Sequence, residues 1–581
     1  MKRKIVITSI LVTLVCSAGF RYALYNTPTP KKISRADVYK HRQIMQCSPD
    51  WNQLNVDSLA KNIGVLPGWG EYRWNIATKN DSARFYFNQG INMYYAFHII
   101  ESMASFKKAA LFDDNNAMIC WAIALAYGPN INDFAYAATP DAFAAAQKAV
   151  SLASNCTASE KALIIAMAVR YSADSTTSRE SLNQLYATAM KKAYAQFKGN
   201  ADVATLYADA LMLQHPWDYW KHNGNAEPWT PELLTVLEGV IKLYPEHPGA
   251  NHYYIHSVEA SLNSKRAMAS ADRLGKLMPG VAHMIHMPSH IYIRNGKYPE
   301  GIKVNEMSVT GSNNYLTLFP GVQNNSPLYL IHNLHMQSNC AMMQANYAFS
   351  SKSAMDCRNS FDTAFLSTPA PFGTFVQYVY MTPLINDIRF GKWDAVLAAA
   401  PVQEQHQYST VLWHWARGMA FAGKKEIAAA QHELDLVQKK MSASDMVIRM
   451  EPFNAPVDAA KVAEKLLAGV IAEQQNNFPQ AIALLTQAVA FEDALIYNEP
   501  RDWLLPSREY LGIALLHSGN AAKAERIFKE DLKENPNTHW SLFPLYQSLL
   551  QQQKNVAAAA IKKQFDNAFK GADIVAGNIA F

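Results

Sequence analysis

The chain has 581 residues, 49% hydrophobic and 17% charged, which is ample for a large buried core and excludes a disordered chain. Its 53 basic and 48 acidic side chains leave a net charge of +5. No block of lysine and arginine stands out, so a nucleic-acid partner is not expected.

At the N-terminus, Lys2, Arg3 and Lys4 precede an apolar run from Ile5 to Val15, and Cys16-Ser17-Ala18 supplies the small residues a signal peptidase needs. The run is shorter than the roughly 20 apolar residues of a membrane-spanning helix. Residues 1–18 therefore read as a cleaved secretory signal, and the protein as exported, periplasmic or secreted. An uncleaved anchor is the alternative, because Gly19 and Phe20 lengthen the run, whereas Val15 makes Cys16 a poor lipidation site. No later segment is long and apolar enough to span a bilayer. The six cysteines contain no Cys-x-x-Cys spacing, so no disulfide framework is implied; Cys340 and Cys357 are the best candidates for a single bridge.

Residues 19–80 read as a tether and an irregular lead-in containing Leu66-Pro67-Gly68-Trp69-Gly70. From Ser82 onward nearly everything is apolar at helical spacing, broken by short Gly, Pro or Asn turns. Repeats then decide the fold class. Gly512, Leu515, Ala524, Phe528 and Pro536 follow the pattern of a tetratricopeptide helix-turn-helix unit, in which small residues let two helices approach and large ones fill the groove. Gly469, Ala472, Ala481, Leu485 and Ala488 repeat that spacing, and Gly90, Met93, Ser102, Phe106 and Ala109 do so less perfectly. Ala267, Ala271 and Pro279, and then Gly418, Phe421 and Ala430, mark further units. The expected architecture is all-α: a tetratricopeptide-like solenoid of irregular repeats, with an N-terminal array over 81–350 and a C-terminal array over 351–581. Thr157-x-x-Glu160 predicts a capping box, and Thr230-Pro231-Glu232 predicts a cap ahead of a proline at the first helical position.

Seven of the seventeen histidines lie between His252 and His335. His252, His256 and Glu259 stand at i, i+4 and i+7, one face of a helix, and offer two imidazoles and a carboxylate to a divalent metal. His283, His286 and His290 follow; Pro288 suits a first helical position, which would leave His283 and His286 in the preceding turn. His332 and His335 form a third pair, and consecutive solenoid helices pack side by side, so the groups are able to share one pocket. His98 with Glu101 is a separate pair near the first repeat's turn. A loop rich in aromatics, with Trp217, Asp218 and Trp220, lines a pocket or packs an insertion between repeats.

The strings Glu246-His247-Pro248-Gly249-Ala250-Asn251-His252-Tyr253-Tyr254-Ile255-His256 and His286-Met287-Pro288-Ser289-His290-Ile291-Tyr292, with Gly128-Pro129-Asn130-Ile131-Asn132 and His332-Asn333-x-His335, resemble a bacterial subfamily of tetratricopeptide repeat proteins. The resemblance covers most of the chain after about residue 70 and implies the repeat fold, often exported, without naming a reaction. Phe97 stands where that resemblance leads one to expect Asn before His98.

Two functions follow from these residues. One is an exported solenoid that binds copper, zinc or iron through the histidine and glutamate cluster, extending to a metal-dependent enzyme; Met284, Met287 and Met336 and export tilt toward copper. The other is a cell-envelope scaffold for a protein or peptide partner, its histidines forming a hydrogen-bonded structural layer. A metal-free His/Glu acid–base site is a third, weaker use of the same residues.

Overall fold

The computed structural model describes residues 51 and 54–574, apart from 134–135, 137–138, 222, 319–325 and 362. The predicted signal segment lies outside the described residues. No helix among those described is long and apolar enough to cross a membrane.

Successive helices pair as antiparallel hairpins, among them Asp81–Tyr95 with Ile99–Ala110, Pro456–Gln474 with Phe478–Asp493, Ser507–His517 with Ala521–Glu534, and His539–Gln551 with Asn555–Ala568. Apart from one isolated bridge, Trp220 to Ala226, the described backbone contains no β-pairing. Asparagine starts several helices: Asn80, Asn116 and Asn200 each accept backbone N–H groups of the first turn that lack a partner within the helix. Thr157 and Glu160 form the predicted capping box. Thr230 departs from expectation. It is the first helical residue rather than the cap, and its hydroxyl donates to the Tyr219 carbonyl at 2.6 Å.

The repeat spacing has a direct packing meaning. A Cβ added at Gly512 would lie 2.4 Å from the Phe528 ring, one at Gly469 2.6 Å from Leu485, and one at Gly90 2.5 Å from Phe106. In each pair the glycine of the first helix makes room for the large residue of the second. A methyl group there would overpack the hairpin at a cost of about 1–3 kcal/mol. Gly418 plays the same part, but against Leu467 of the following hairpin.

Buried side chains form one cluster from Ile63 to Tyr292 and another from Leu330 to Ala558. The described part of the lead-in is no free tether. Trp69, Trp74 and Ile76 are buried, and Gly280 presses so closely on Pro67 and Gly68 that neither glycine has space for a side chain. The C-terminal hairpins return to the middle of the chain, where Trp540 Nε1 donates to the Met342 carbonyl at 2.8 Å and Tyr298 donates to the Pro536 carbonyl at 2.8 Å.

Cys340 and Cys357 are free buried thiols, not a bridge. Cys340 Sγ lies against Gly301, while Cys357 Sγ faces the Ile331 carbonyl at 3.5 Å. Ile331 and Cys340 are about 13 Å apart along one helix, beyond the span of a disulfide.

Candidate metal centre

Helix Pro248–Val258 is capped by His247, whose Nδ1 accepts the Ala250 N–H at 3.1 Å. His252 and His256 project from its inner face, and Glu259 stands at its C-terminal end. Opposite, Ala282–His286 and Pro288–Arg294 run almost continuously through Met287, which keeps helical dihedrals. Pro288 takes the first-turn position as predicted, but His283 and His286 lie on a helical turn rather than in a loop. That spacing sets His286 and His290 one turn apart. His332 arrives from helix Ser326–Met343.

Six imidazoles thus gather as two trios, His252 with His256 and His283, and His286 with His290 and His332. In the first, His252 Nε2 lies 3.1 Å from both His283 Nε2 and His256 Nε2. In the second, His286 Nε2 lies 2.8 Å from His290 Nε2, and the His286 and His332 ring centres are 4.7 Å apart. Nitrogens held about 2 Å from one tetrahedral ion are themselves about 3.3 Å apart, close to these separations. Glu259 stands between the trios, 2.9 Å from His256 Nδ1 through one oxygen and 2.9 Å from His290 Nδ1 through the other.

The Nδ1 partners fix the tautomers. His252 Nδ1 donates to the Tyr95 carbonyl at 2.6 Å, and His256 Nδ1 donates to Glu259. His286 Nδ1 donates to Asn305 Oδ1 at 2.5 Å, and the Asn305 amide is oriented by its own donation to the Gly301 carbonyl at 2.8 Å. A neutral imidazole has one N–H. With that proton on Nδ1, the Nε2 atoms of His252 and His256 face each other as bare lone pairs. The single proton of His283 cannot serve both contacts of His252 Nε2. This arrangement is one that a cation between the rings would satisfy, either an added proton or a metal ion. Burial, and after it the charge of His256, hold His252 well below the usual imidazole pKa; burial does the same for His283 and His286. A proton on those three rings is therefore disfavoured.

His290 differs. Burial opposes its protonation, but Glu499 and Glu259 outweigh that and raise it to about 9. Its Nε2 lies 3.1 Å from Glu499, which also approaches His332 at 3.4 Å. Glu259 is kept ionised: burial pushes its pKa up, and the neighbouring His290 and His256 pull it well below the usual carboxylate value. Tyr497 adds a hydroxyl donor to Glu259 at 3.1 Å.

Aromatic side chains wall the first trio. Phe97 packs tilted against His252 with ring centres 4.6 Å apart and stacks on His256 at 5.8 Å, and the Trp217 edge stands 5.1 Å from His256. Both Phe97 and Trp217 hold positive φ, 58° and 65°, a conformation uncommon for non-glycine residues and often found at functional sites. Phe97 thus fills as a wall the place where Asn was expected.

Several predicted residues do not join the trios. His335 turns away toward Tyr378, with ring centres 6.2 Å apart, and burial lowers its pKa to about 3. The i, i+3 step from His332 rotates it off the inner face. His98 and Glu101 face each other at 3.4 Å, and His98 borders a cleft that reaches His283. Trp220 Nε1 donates to the Ser257 carbonyl at 2.7 Å, bracing the His252 helix, while Asp218 is exposed. Met284, Met287 and Met336 are fully buried and belong to none of the ligand groups. Sequence reasoning missed Glu499, Tyr497, Asn305 and the Tyr95 carbonyl. Asn305, a polar residue on the buried side of helix Tyr298–Leu318, carried a faint signal; Glu499 and Tyr497, in an aperiodic loop, carried none.

No protein-family model and no curated protein sequence matches this chain. Among solved structures it is similar to a human IFIT1 dimer with m7Gppp-AAAA, at 12% identity and a TM-score of 0.32, over 90% of this chain and 96% of that one. Yeast Tom70 is similar at 11% identity and a TM-score of 0.25, over 84% of this chain and 90% of that one. The Cut9–Hcn1 assembly is similar at 11% identity and a TM-score of 0.24, over 81% and 84%. Likenesses this remote carry nothing about ligand or reaction. The repeat architecture rests on the hairpin packing itself.

Proposed function

We propose that the protein is an exported helical-repeat scaffold whose interior holds transition-metal ions, one in each histidine trio. The observation that carries this is the pair of bare Nε2 atoms of His252 and His256, 3.1 Å apart, each ring having committed its proton to an oxygen. In the first trio, imidazoles with an ordered outer carboxylate suit zinc, copper or iron, and hydrogen bonds at Nδ1 are how proteins orient such ligands and raise their basicity. In the second, an ion would have to displace the proton that Glu499 and Glu259 favour on His290. In this reading Glu259 hydrogen-bonds one ring of the first trio and ion-pairs with one of the second, Asn305 and the Tyr95 carbonyl orient two more, and Phe97 and Trp217 exclude water.

The second reading is a scaffold for a protein or peptide partner with a structural histidine layer. The solenoid architecture favours it, since such arrays present extended binding surfaces. So does His290, whose charge is already balanced by two carboxylates without any metal. The deciding experiment is elemental analysis of protein purified without an affinity tag, followed by thermal melting with added zinc, copper or iron(II). The metal reading expects a stoichiometric ion, or a rise in Tm that corresponds to about 2.7 kcal/mol at a hundredfold excess over Kd. Finding neither would leave the scaffold.

A further inference from the structure

A second cleft lies behind the loop that carries Tyr497, away from the imidazoles. Two arginines line it, Arg294 and Arg501, and among the described residues its lining includes no carboxylate. Arg294 stacks over the Tyr497 ring, 5.6 Å from its centre, and its Nη2 donates to the Ser261 carbonyl at 3.3 Å. Its Nε is buried without a hydrogen-bond partner. Arg501 makes no ion pair or hydrogen bond with any described residue. Burial, and next the facing Arg501, lower the pKa of Arg294, as like charges do when no anion lies between them; Glu534 and Glu259 act on it only from beyond ion-pair distance. Glu492 and Asp531 feel the charge of Arg501, but among the described residues no carboxylate pairs directly with either guanidinium, so their open N–H donors are left for an anion that enters the cleft. The remaining walls are largely apolar, with Met336, Met343 and Leu504 among them.

We propose that this cleft binds a small aliphatic carboxylic acid, its carboxylate held between Arg294 and Arg501 and its hydrocarbon laid against Met336, Met343 and Leu504. The planar guanidinium fork matches a carboxylate in both spacing and charge, and the apolar walls favour an organic acid over an inorganic anion. The inference uses none of the histidines and stands apart from the metal reading. Isothermal titration of the full chain with hexanoate, hexanol and inorganic phosphate tests it. Hexanoate should saturate a single site about tenfold or more tighter than hexanol. Arg501→Gln should weaken hexanoate by about tenfold or more while leaving the melting temperature near that of the parent. Equal binding of hexanol and hexanoate, tighter binding of phosphate, no saturable site, or an unchanged Arg501→Gln would each overturn the proposal. Should the variant fold poorly, the three-probe comparison on the unaltered chain decides alone.

Discussion

The two histidine trios have similar spacing but different charge balance. In the first, the oxygen acceptors lie on the outer Nδ1 side, at the Tyr95 carbonyl and Glu259 with Glu499 farther off at 3.8 Å from His256 Nδ1, and the inner nitrogens face one another. In the second, Glu499 reaches inward to His290 Nε2 and His332 Nε2, so a protonated His290 already has a counter-ion on its inner side. The difference teaches where a histidine cluster stops being a structural layer. Imidazoles with an inner carboxylate are able to balance themselves, whereas those with only outer acceptors are the better place to look for a cation brought from solution.

That contrast is open to attack by substitution. The largest effect is expected at the first trio: His256→Ala should remove roughly one metal equivalent per chain and the thermal stabilisation that goes with it. His332→Ala, with Glu499 still facing His290, should cost less. Equal losses of thermal stabilisation would erase the distinction between the trios, whereas elemental analysis should count about one ion lost in either variant. Glu259→Gln comes next, because it keeps the shape but gives up the shared acceptor; metal affinity should fall about 10–100-fold at both sites. Competition with a chelator of known affinity measures this, and a loss confined to one trio would contradict the bridging role. A smaller effect is expected from His335→Phe. It removes a buried, unpartnered Nε2 outside both trios, so metal content should be unchanged and stability should shift by no more than about 1–2 kcal/mol in chemical denaturation.

A further effect is electrostatic, confined to the pH profile, and lies away from the trios. Burial raises the Glu492 carboxyl from 4.5 to about 7, against a backbone N–H from Ser507 that works to lower it. The folded chain therefore keeps this proton after the unfolded chain has lost it. The resulting stability is fully present below about pH 4.5 and declines as pH climbs to about 7. Glu492→Gln should flatten that part of the stability profile without altering metal content. A variant whose denaturation midpoints keep the parent's slope would show that another group is responsible.

The repeat fold was legible because its signal is local. Gly512 and Phe528, Gly469 and Leu485, and Gly90 and Phe106 are each separated by one helical hairpin, and each pair meets as the spacing predicts. The trios were legible for a similar reason, since His252 with His256 and His286 with His290 are single-turn neighbours on helices. His335 misled because an i, i+3 step looks in sequence like a shared face, whereas on this helix only His332 points inward. The partners that set charge were hidden. Glu499 and Tyr497 approach residues more than two hundred positions earlier, and no periodicity in their loop announces it. Glu259 was visible as one more donor on its helix. Its contacts make it the brace shared by both groups of rings.

The return of that late loop has a consequence for biosynthesis. A chain emerging from the ribosome exposes all six convergent imidazoles while the stretch bearing Tyr497 and Glu499 has yet to be made. During that interval the cluster lacks its inner acid and part of its enclosure, so the order of synthesis separates the appearance of the imidazoles from the completion of their surroundings.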